Sequence, residues 1–478
     1  MDESGRLFYN LSVGKEYRAM YTINFEKPIH IHFIGIGGIS MSGLAEILMS
    51  KGFVISGSDN KESELTEQLR RDGAIINIGQ SGDNITPDID LVVYTAAIRM
   101  DNPEFGTAME KNLPMLTRAE LLGQMMRNYD CPIAIAGTHG KTTTSSLASE
   151  ILLGENLDPT LSIGGILKTI GGNIRIGHSD YFLTEACEYT NSFLSFFPKY
   201  GVILNIEADH LDFFKDINDI RKSFRKFATL LPEDGALIIN GEIDNLPEIT
   251  DDLKTKVLTF GSDSRFDYYA TDVAFNELGH PSYTLHTPDG KTYPVSLSLM
   301  GKHNVSNSMA ALALADVLGF DLEHAIASVS SCTGADRRFE YKGNIGEINV
   351  IDDYAHHPTE IKATLEAAKK YPHNHLWCVF QPHTYSRTKA LLHDFADALS
   401  MAEHVVLADI YAARETDTLG ISSKNLRDEI IKRGGDAHYF PSFSEIEIFL
   451  LQNCQPGDVL ITMGAGDVYR VGEELLGK

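Results

Sequence analysis

Residues 132–153 read Pro-Ile-Ala-Ile-Ala-Gly-Thr-His-Gly-Lys-Thr-Thr-Thr-Ser-Ser-Leu-Ala-Ser-Glu-Ile-Leu-Leu. The apolar run Pro132–Ala136 enters a glycine loop, and a helical pattern leaves it over Lys141–Leu153. Strand, glycine turn and helix in that order make a phosphate cradle. Gly137 and Gly140 permit backbone conformations that aim N–H groups at phosphate oxygens. The helix brings its positive end to the same spot. Lys141 supplies a point charge for β- and γ-phosphates, and the Thr142 hydroxyl is placed to ligate Mg²⁺. The usual spacing, GxxxxGK[ST], has glycine where this chain has Ile135, so the match is to a shorter form, Gly-Thr-His-Gly-Lys-Thr. A plain structural turn is the bland alternative, and Gly-Lys-Thr directly after an apolar strand argues against it.

The same alternation recurs on either side. His30–Gly35 leads into an amphipathic stretch over Met41–Ser50, and further apolar runs follow at Phe53–Ser56 and Leu91–Ala96, with a charged helix-like stretch, Glu62–Arg71, between them. Beyond the phosphate loop, Tyr181–Thr184 and Gly201–Asn205 read as strands. Between Phe266 and Met300 alternation and the turn signal His286–Gly290 predict a small antiparallel sheet, followed by a helix over Asn304–Leu318. From Phe339 onward the strand readings are Ile345–Ile351, Leu376–Phe380, His404–Leu407 and Asp458–Met463, with helices over Pro358–Lys370 and Leu426–Arg433. Strands alternating with helices predict parallel, doubly wound sheets. At about 100–200 residues per domain, the 478 residues imply three domains, placed here at 1–128, 129–335 and 336–478.

Five further groups carry chemistry. Gly35-Ile-Gly37-Gly38 follows a strand and opens a helix, with Asp59 after the second strand in Ser56-Gly-Ser-Asp59; a dinucleotide or nucleotide-diphosphate site and a tight structural turn both fit. Glu185 and Asn205-Ile-Glu-Ala-Asp209-His210 follow apolar runs, where ligand-binding edges form. Oxygen donors there suit Mg²⁺ with a His completing a second position, and solvated loop acids are the alternative. In Gly301-Lys-His303-Asn304-Val-Ser-Asn307 the amides can read a base, or Asn304 can cap the helix. Arg337-Arg338 offers planar forks for phosphate or carboxylate, or a surface salt bridge. Asp352-Asp353-Tyr354-Ala-His356-His357-Pro358 and Gln381-Pro-His383-Thr384-Tyr-Ser-Arg387 favour substrate contacts over metal, because adjacent His residues chelate one ion poorly.

Composition narrows the class. The net charge of −25 repels phosphate backbones and argues against nucleic acid as a partner. Cys131, Cys187, Cys332, Cys378 and Cys454 are odd in number and form no CxxC pair, which points to a reducing compartment without structural zinc. The acidic start, Met-Asp-Glu-Ser-Gly, has no apolar signal region, and no apolar run approaches the ~20 residues of a membrane span. A cytoplasmic enzyme is the expectation, with no membrane partner.

In this order, over nearly the whole chain, these strings resemble the Mur ligase family: His32-Phe-Ile-Gly-Ile-Gly-Gly, Ser56-Gly-Ser-Asp59, Gly137-Thr-His-Gly-Lys-Thr-Thr, Asn205-Ile-Glu-Ala-Asp-His-Leu-Asp, Gly301-Lys-His-Asn, Arg337-Arg-Phe-Glu, Asp352-Asp-Tyr-Ala-His-His-Pro and Phe380-Gln-Pro-His. The resemblance implies an α/β chain of three domains: a Rossmann-like UDP-binding domain, a P-loop ATPase-like central domain and a Rossmann-like C-terminal ligase domain. It implies ATP and Mg²⁺ as cofactors, and UDP-N-acetylmuramate and L-alanine as substrates joined through an acyl phosphate. Gly35, Gly37 and Gly38 would hold the UDP part with Ser56, Asp59, Thr95 and His139, Asp59 lying near the uridine ribose. Gly137, Thr138, His139, Gly140, Lys141, Thr142 and Thr143 would hold the ATP phosphates. Asn304 and Asn307 would face adenine, Asp353 the ATP ribose, and Arg338 a phosphate. Thr142, Glu185 and His210 would hold the metal, and Tyr354, His356 and Arg387 the amino acid. Lys141, Glu185, His210, His356 and Arg387 are the implied catalytic set, with His356 a candidate base for the amine.

Two departures stand out. Thr384 replaces an Arg common in the family, which leaves Arg387 more responsible for the amino acid. Glu-Ala-Cys-Glu replaces Glu-Ala-Asp-Glu and leaves the role of Glu188 open. A recycling ligase that adds a tripeptide to UDP-N-acetylmuramate is the nearest alternative, and a nicotinamide oxidoreductase using the first glycine loop is the alternative from another class. A homodimer is left open.

Overall fold

The apolar runs become the strands of three sheets in a computed structural model that describes residues 21–95, 98–99, 101–211, 213–413, 415–417 and 419–478. Met1–Gly5 and Ala96, the last residue of one expected strand, lie outside the described residues. The described chain divides into two compact units. One runs to Asp130 and includes Ser195–Phe197, and the other takes Cys131–Leu194 and Pro198–Lys478.

The first unit is built on five parallel strands in the order Ile75–Ile78, Val54–Asp59, His30–Ile34, Leu91–Tyr94, Met115–Thr117. Strand order reverses at His30–Ile34, so its C-terminal end is a switch point where ligands bind in open α/β sheets. Gly35 sits there beside Thr95: a Cβ on Gly35 would meet the Thr95 methyl at 2.9 Å. Burial on both faces explains why Ile31, Phe33, Ile34 and Val92 read as apolar runs and not as alternation. The second strand is longer than expected. It runs through to Asp59 because Ser56 and Ser58 pair with both neighbours.

The second unit holds the other two sheets. Cys131–Ala136 lies between Tyr200–Ile203 and Tyr181–Ala186 in a ten-stranded sheet, parallel to both. The expected antiparallel strands are Tyr268–Phe275, Pro281–His286 and Thr292–Ser296, but they form no separate sheet. Tyr268–Phe275 pairs parallel with Lys256–Gly261, which extends the large sheet at one edge. The third sheet has six strands. Ile348–Asp353, Val459–Met463, Leu376–Phe380, His404–Leu407 and Asp436–Tyr439 run parallel, and Glu340–Ile345 runs antiparallel at the edge. The single expected strand Ile345–Ile351 is therefore wrong. Gly346 and Glu347 both take positive φ, 53° and 68°, and make a two-residue hairpin turn where one strand was expected.

Asp458, at the foot of the third sheet, is buried and accepts hydrogen bonds from Trp377 Nε1 at 3.0 Å, Gln455 N at 2.9 Å and His375 N at 3.1 Å. Asp458→Ala leaves these donors unpaired, at about 1–3 kcal/mol for each one that stays buried. It should lower the unfolding midpoint of this domain markedly. Trp377 is the only tryptophan of the chain, so its emission during denaturant titration reads the effect directly.

Candidate active site

The phosphate loop joins the central strand to the helix Lys141–Gly154 through Gly140, whose φ of 82° suits glycine. A Cβ there would also stand 2.5 Å from Asn307 Oδ1. Lys141 is turned into the loop. Its Nζ donates to the Gly137 carbonyl, to Thr138 O at 3.1 Å and to Glu188 Oε2 at 3.1 Å. Burial works to discharge this ammonium, but Glu188 and the neighbouring Cys187 and Glu185 outweigh it and hold its pKa above the usual lysine range.

Glu185 lies opposite Ile135 on the adjacent strand. Its Oε2 accepts from the Thr142 hydroxyl at 3.1 Å, and its Oε1 from Gly164 N at 2.6 Å. Burial raises its pKa. Thr142 and Glu185 thus meet as two oxygen donors at the start of a helix, and this fits Mg²⁺, which takes one or two protein oxygens and completes its shell with water and phosphate. His210 does not join them directly. Its Nε2 is 3.9 Å from Glu188 Oε1 and 3.7 Å from Asp209 Oδ2, and its ring lies 4.5 Å from that of Tyr189. Burial keeps His210 neutral by lowering its pKa, and a neutral imidazole is the form a metal would take. Among the described residues no group of three or more His, Cys, Asp or Glu side chains is gathered for a metal.

A cavity of about 340 Å³ brings His139, Gly140, Thr143, Asn304, Asn307, Arg338 and Asp353 together. Asn304 does not cap its helix. The helix His303–Val317 begins one residue earlier, and the Asn304 amide donates to Met300 O at 2.6 Å while its oxygen accepts from Asn307 Nδ2 at 2.9 Å. Asp353 accepts from Phe339 N at 2.7 Å and Ala355 N at 2.8 Å, and burial pushes its pKa up to about 6. The two guanidinium groups part company. Arg338 Nη2 reaches Thr142 Oγ1 at 3.4 Å, whereas Arg337 turns into the third sheet and binds Asp352 and the Gly464 and Gly466 carbonyls.

A second cavity, of about 470 Å³, is lined by Asp209, His210, His356, His383, Thr384 and Arg387, among others. Arg387 pairs with Asp209 at 3.1 Å, and the guanidinium helps hold that carboxyl well below its ordinary range against the effect of burial. Thr384, at φ 65°, caps the helix Tyr385–Ala390 by accepting from Arg387 N at 3.4 Å. Tyr354 lines neither cavity. Its ring lies over Arg337 and Arg338 and meets His356 edge-on.

In the first unit, Gly37 N donates to Asp59 Oδ2 at 2.9 Å. Ser56 is not at the loop edge. It lies inside the strand, with its hydroxyl 2.8 Å from His30 Nε2 and 2.9 Å from His32 Nδ1. Sequence reasoning left Glu188 open and missed Asn205, Glu207 and Glu360. Asn205 clamps the His139 backbone at both its N–H and its carbonyl, at 2.7 and 3.0 Å. Both Asn205 and Glu207 stand in the string around His210, whereas no local signal marks Glu360 on its helix.

Three family descriptions match the chain in order: Mur ligase family, catalytic domain, over residues 30–130; Mur ligase middle domain, over 135–315; and Mur ligase, glutamate ligase domain, over 337–466. The chain belongs to the Mur ligase family. It has the three-domain α/β fold of these ligases. It is 61% identical to the UDP-N-acetylmuramate–L-alanine ligase of Agathobacter rectalis, over 96% of this chain and 100% of that one. The ligase of the same name from Lachnospira eligens is 60% identical at the same coverage. Among solved structures, the UDP-N-acetylmuramate–alanine ligase of Thermotoga maritima superposes with a TM-score of 0.77 at 29% identity, covering 94% of this chain and 98% of that one. A murein peptide ligase from Psychrobacter arcticus gives 0.69 at 25% identity with the same coverage. Among the described residues of this Mur ligase, no helix is long and apolar enough to cross a membrane.

One loop contact spans the second and third sheets. His139 Nδ1 is 3.2 Å from Glu360 Oε1, and its Nε2 is 3.5 Å from Glu207 Oε2, with the His357 ring at 4.9 Å. Burial opposes the imidazolium, but the two carboxylates prevail and raise its pKa to about 9. A raised folded-state pKa stabilises fully below the unfolded value, about 6.5, and the contribution fades as pH rises through about 9. His139→Gln should therefore lower the melting midpoint at pH 6–7, by up to about 3 kcal/mol of stability, and the gap to the unsubstituted chain should close by about pH 10. A gap independent of pH would show that His139 acts by packing alone.

Proposed function

We propose that this Mur ligase joins L-alanine to the lactyl carboxylate of UDP-N-acetylmuramate, with ATP converted to ADP and phosphate. The observation that carries this reading is the 61% identity, over nearly the full length, to a ligase of that name. Domains at 1–128, 129–335 and 336–478 then bind the sugar nucleotide, ATP and L-alanine respectively, and the reaction belongs in the cytoplasm, where peptidoglycan precursors are made.

A carboxylate is a poor acceptor for an amine, because its charge repels nucleophiles and oxide leaves badly. The carboxylate oxygen therefore attacks the γ-phosphorus, ADP leaves, and an acyl phosphate forms. The amine of L-alanine then attacks the acyl carbon, and phosphate departs with the C–O bond. In the first step the protein mainly positions groups and stabilises charge. Lys141 and the loop N–H groups do this, with Arg338 reaching the same helix start. Thr142 and Glu185 would hold Mg²⁺, with His210 at a second position; the ion would supply neutralisation of phosphate charge. Asn304 and Asn307 face adenine, and Asp353 the ribose. In the first domain Gly35, Gly37, Gly38, Asp59 and Thr95 hold the UDP part.

The two histidines of the second cavity differ in tautomer. His356 Nδ1 faces the Tyr354 carbonyl at 3.1 Å, an atom that only accepts, so the proton sits on Nδ1 and Nε2 keeps a lone pair. His383 Nδ1 faces the Arg387 guanidinium at 3.5 Å, a group that only donates, so its lone pair is at Nδ1. Burial pushes both pKa values down to about 4, and both rings stay neutral near pH 7. His356 Nε2 is then the base that takes the ammonium proton as the C–N bond forms, and Arg387 holds the alanine carboxylate.

Product analysis with UDP-N-acetylmuramate, ATP, Mg²⁺ and mixed amino acids should give the L-alanyl product and ADP. Turnover with a murein tripeptide and not with L-alanine would sink this reading. Lys141→Ala should lower kcat by at least about 10²–10³, the scale for one preorganised charge-stabilising group; activity within a few-fold of the unsubstituted chain would contradict the role. Recognition of a single methyl discriminates by only about 10–200-fold, so glycine should turn over slowly but measurably.

A further inference from the structure

Glu104 is a fully buried carboxylate in the first unit that the ATP chemistry does not use. We propose that Glu104 is a positioning residue for the sugar-nucleotide loop: through the Ser58 hydroxyl it sets the carbonyl from which Gly35 and Ile36 hang. The inference rests on the reading that this loop holds the UDP part of the substrate.

The chain of contacts is continuous. Gly35 N and Ile36 N both donate to Ser58 O, at 2.9 and 3.0 Å. Ser58 is itself buried, and its hydroxyl donates to Glu104 Oε2 at 2.5 Å. Glu104 Oε1 accepts from Asn84 Nδ2 at 2.5 Å and from Ser81 N at 3.4 Å. His32, on the strand that feeds the loop, brings a buried Nε2 to 3.6 Å from Oε2. Glu104 stands in the first turn of the helix Pro103–Glu110, whose cap Asn102 accepts from its N–H. A single carboxylate therefore ties together the glycine-loop strand, the second strand, the 81–84 turn and a helix start. Burying such a group is costly unless its oxygens are satisfied, and here every contact converges behind the loop.

The consequence is directional. Two loop N–H groups are spent on Ser58 and a third on Asp59, so the conformation in which the following backbone meets a diphosphate is set from behind. Loosening that support weakens sugar-nucleotide binding and leaves the ATP side alone.

The test measures equilibrium binding of UDP-N-acetylmuramate to the full chain, with KM for ATP and kcat alongside, for Glu104→Gln, Ser58→Ala and the double variant. Each single variant should weaken sugar-nucleotide binding about ten- to a hundredfold, the scale for partners that orient contact groups. KM for ATP and kcat at saturating sugar nucleotide should stay within about threefold. The double variant should be no weaker than the worse single one, because both act through the same Ser58–Glu104 contact. Sugar-nucleotide affinity within twofold of the unsubstituted chain, parallel loss of ATP affinity, or additive losses would each overturn the proposal. If Glu104→Gln does not fold, Ser58→Ala, which removes one hydroxyl, decides by the same outcomes. An unsubstituted chain that fails to bind UDP-N-acetylmuramate would overturn the underlying reading, and the proposal with it.

Discussion

Lys141 is a cation enclosed by its own loop, and Glu188 faces it at 3.1 Å from the far side. An ammonium in such a place needs a carboxylate beside it, since removing one member of a buried pair leaves an uncompensated charge at a cost of about 3–5 kcal/mol. The rest of the site follows from that requirement. Glu188 reaches Lys141 with one oxygen and comes within 3.9 Å of His210 with the other, so it links the phosphate loop to the second cavity. Glu185 is then left to meet Thr142, and the hard-oxygen pair stands apart from the lysine's counter-ion.

The same economy of charge organises the approach of the third sheet to the second. His139, Arg338 and Arg387 each cross between them, to Glu360, Thr142 and Asp209 respectively. Each is an ionic or charge-assisted contact between side chains far apart in sequence. Contacts of this kind have defined geometry and little apolar area, which suits an interface that must admit substrates. At His356 burial outweighs Glu360, 3.4 Å away, and at His383 burial and Arg387 outweigh Glu415 and Asp209; both imidazoles are neutral, and the atoms those rings face decide which nitrogen is basic.

Much of this was legible beforehand because phosphate chemistry sits at strand ends. Apolar runs mark the strands, and Gly137–Thr143, Glu185, His210 and Gly35–Gly38 lie at or near the C-terminal ends of parallel strands, the edge where open α/β sheets take ligands. What was misread depended on pairing. The Phe53–Ser56 strand continues to Asp59 because it has neighbours on both sides, and this draws the Ser56 hydroxyl between His30 and His32. The antiparallel strands at 268–296 joined the large sheet because Lys256–Gly261 left an open edge. Gly346 reads as part of one strand because a local pattern does not show two positive φ values in succession.

By itself the sequence determined a three-domain α/β fold, a phosphate loop and the family, because periodicity and loop chemistry are local properties of the chain. Only the tertiary structure decided that Glu188 answers Lys141, that Arg337 supports the third sheet while Arg338 reaches the phosphate loop, and that Asn304 binds inward instead of capping. It also decided that Glu104 stands behind the first glycine loop. Those assignments concern which buried polar group meets which, and burial forces each one to find a partner wherever the fold happens to place it.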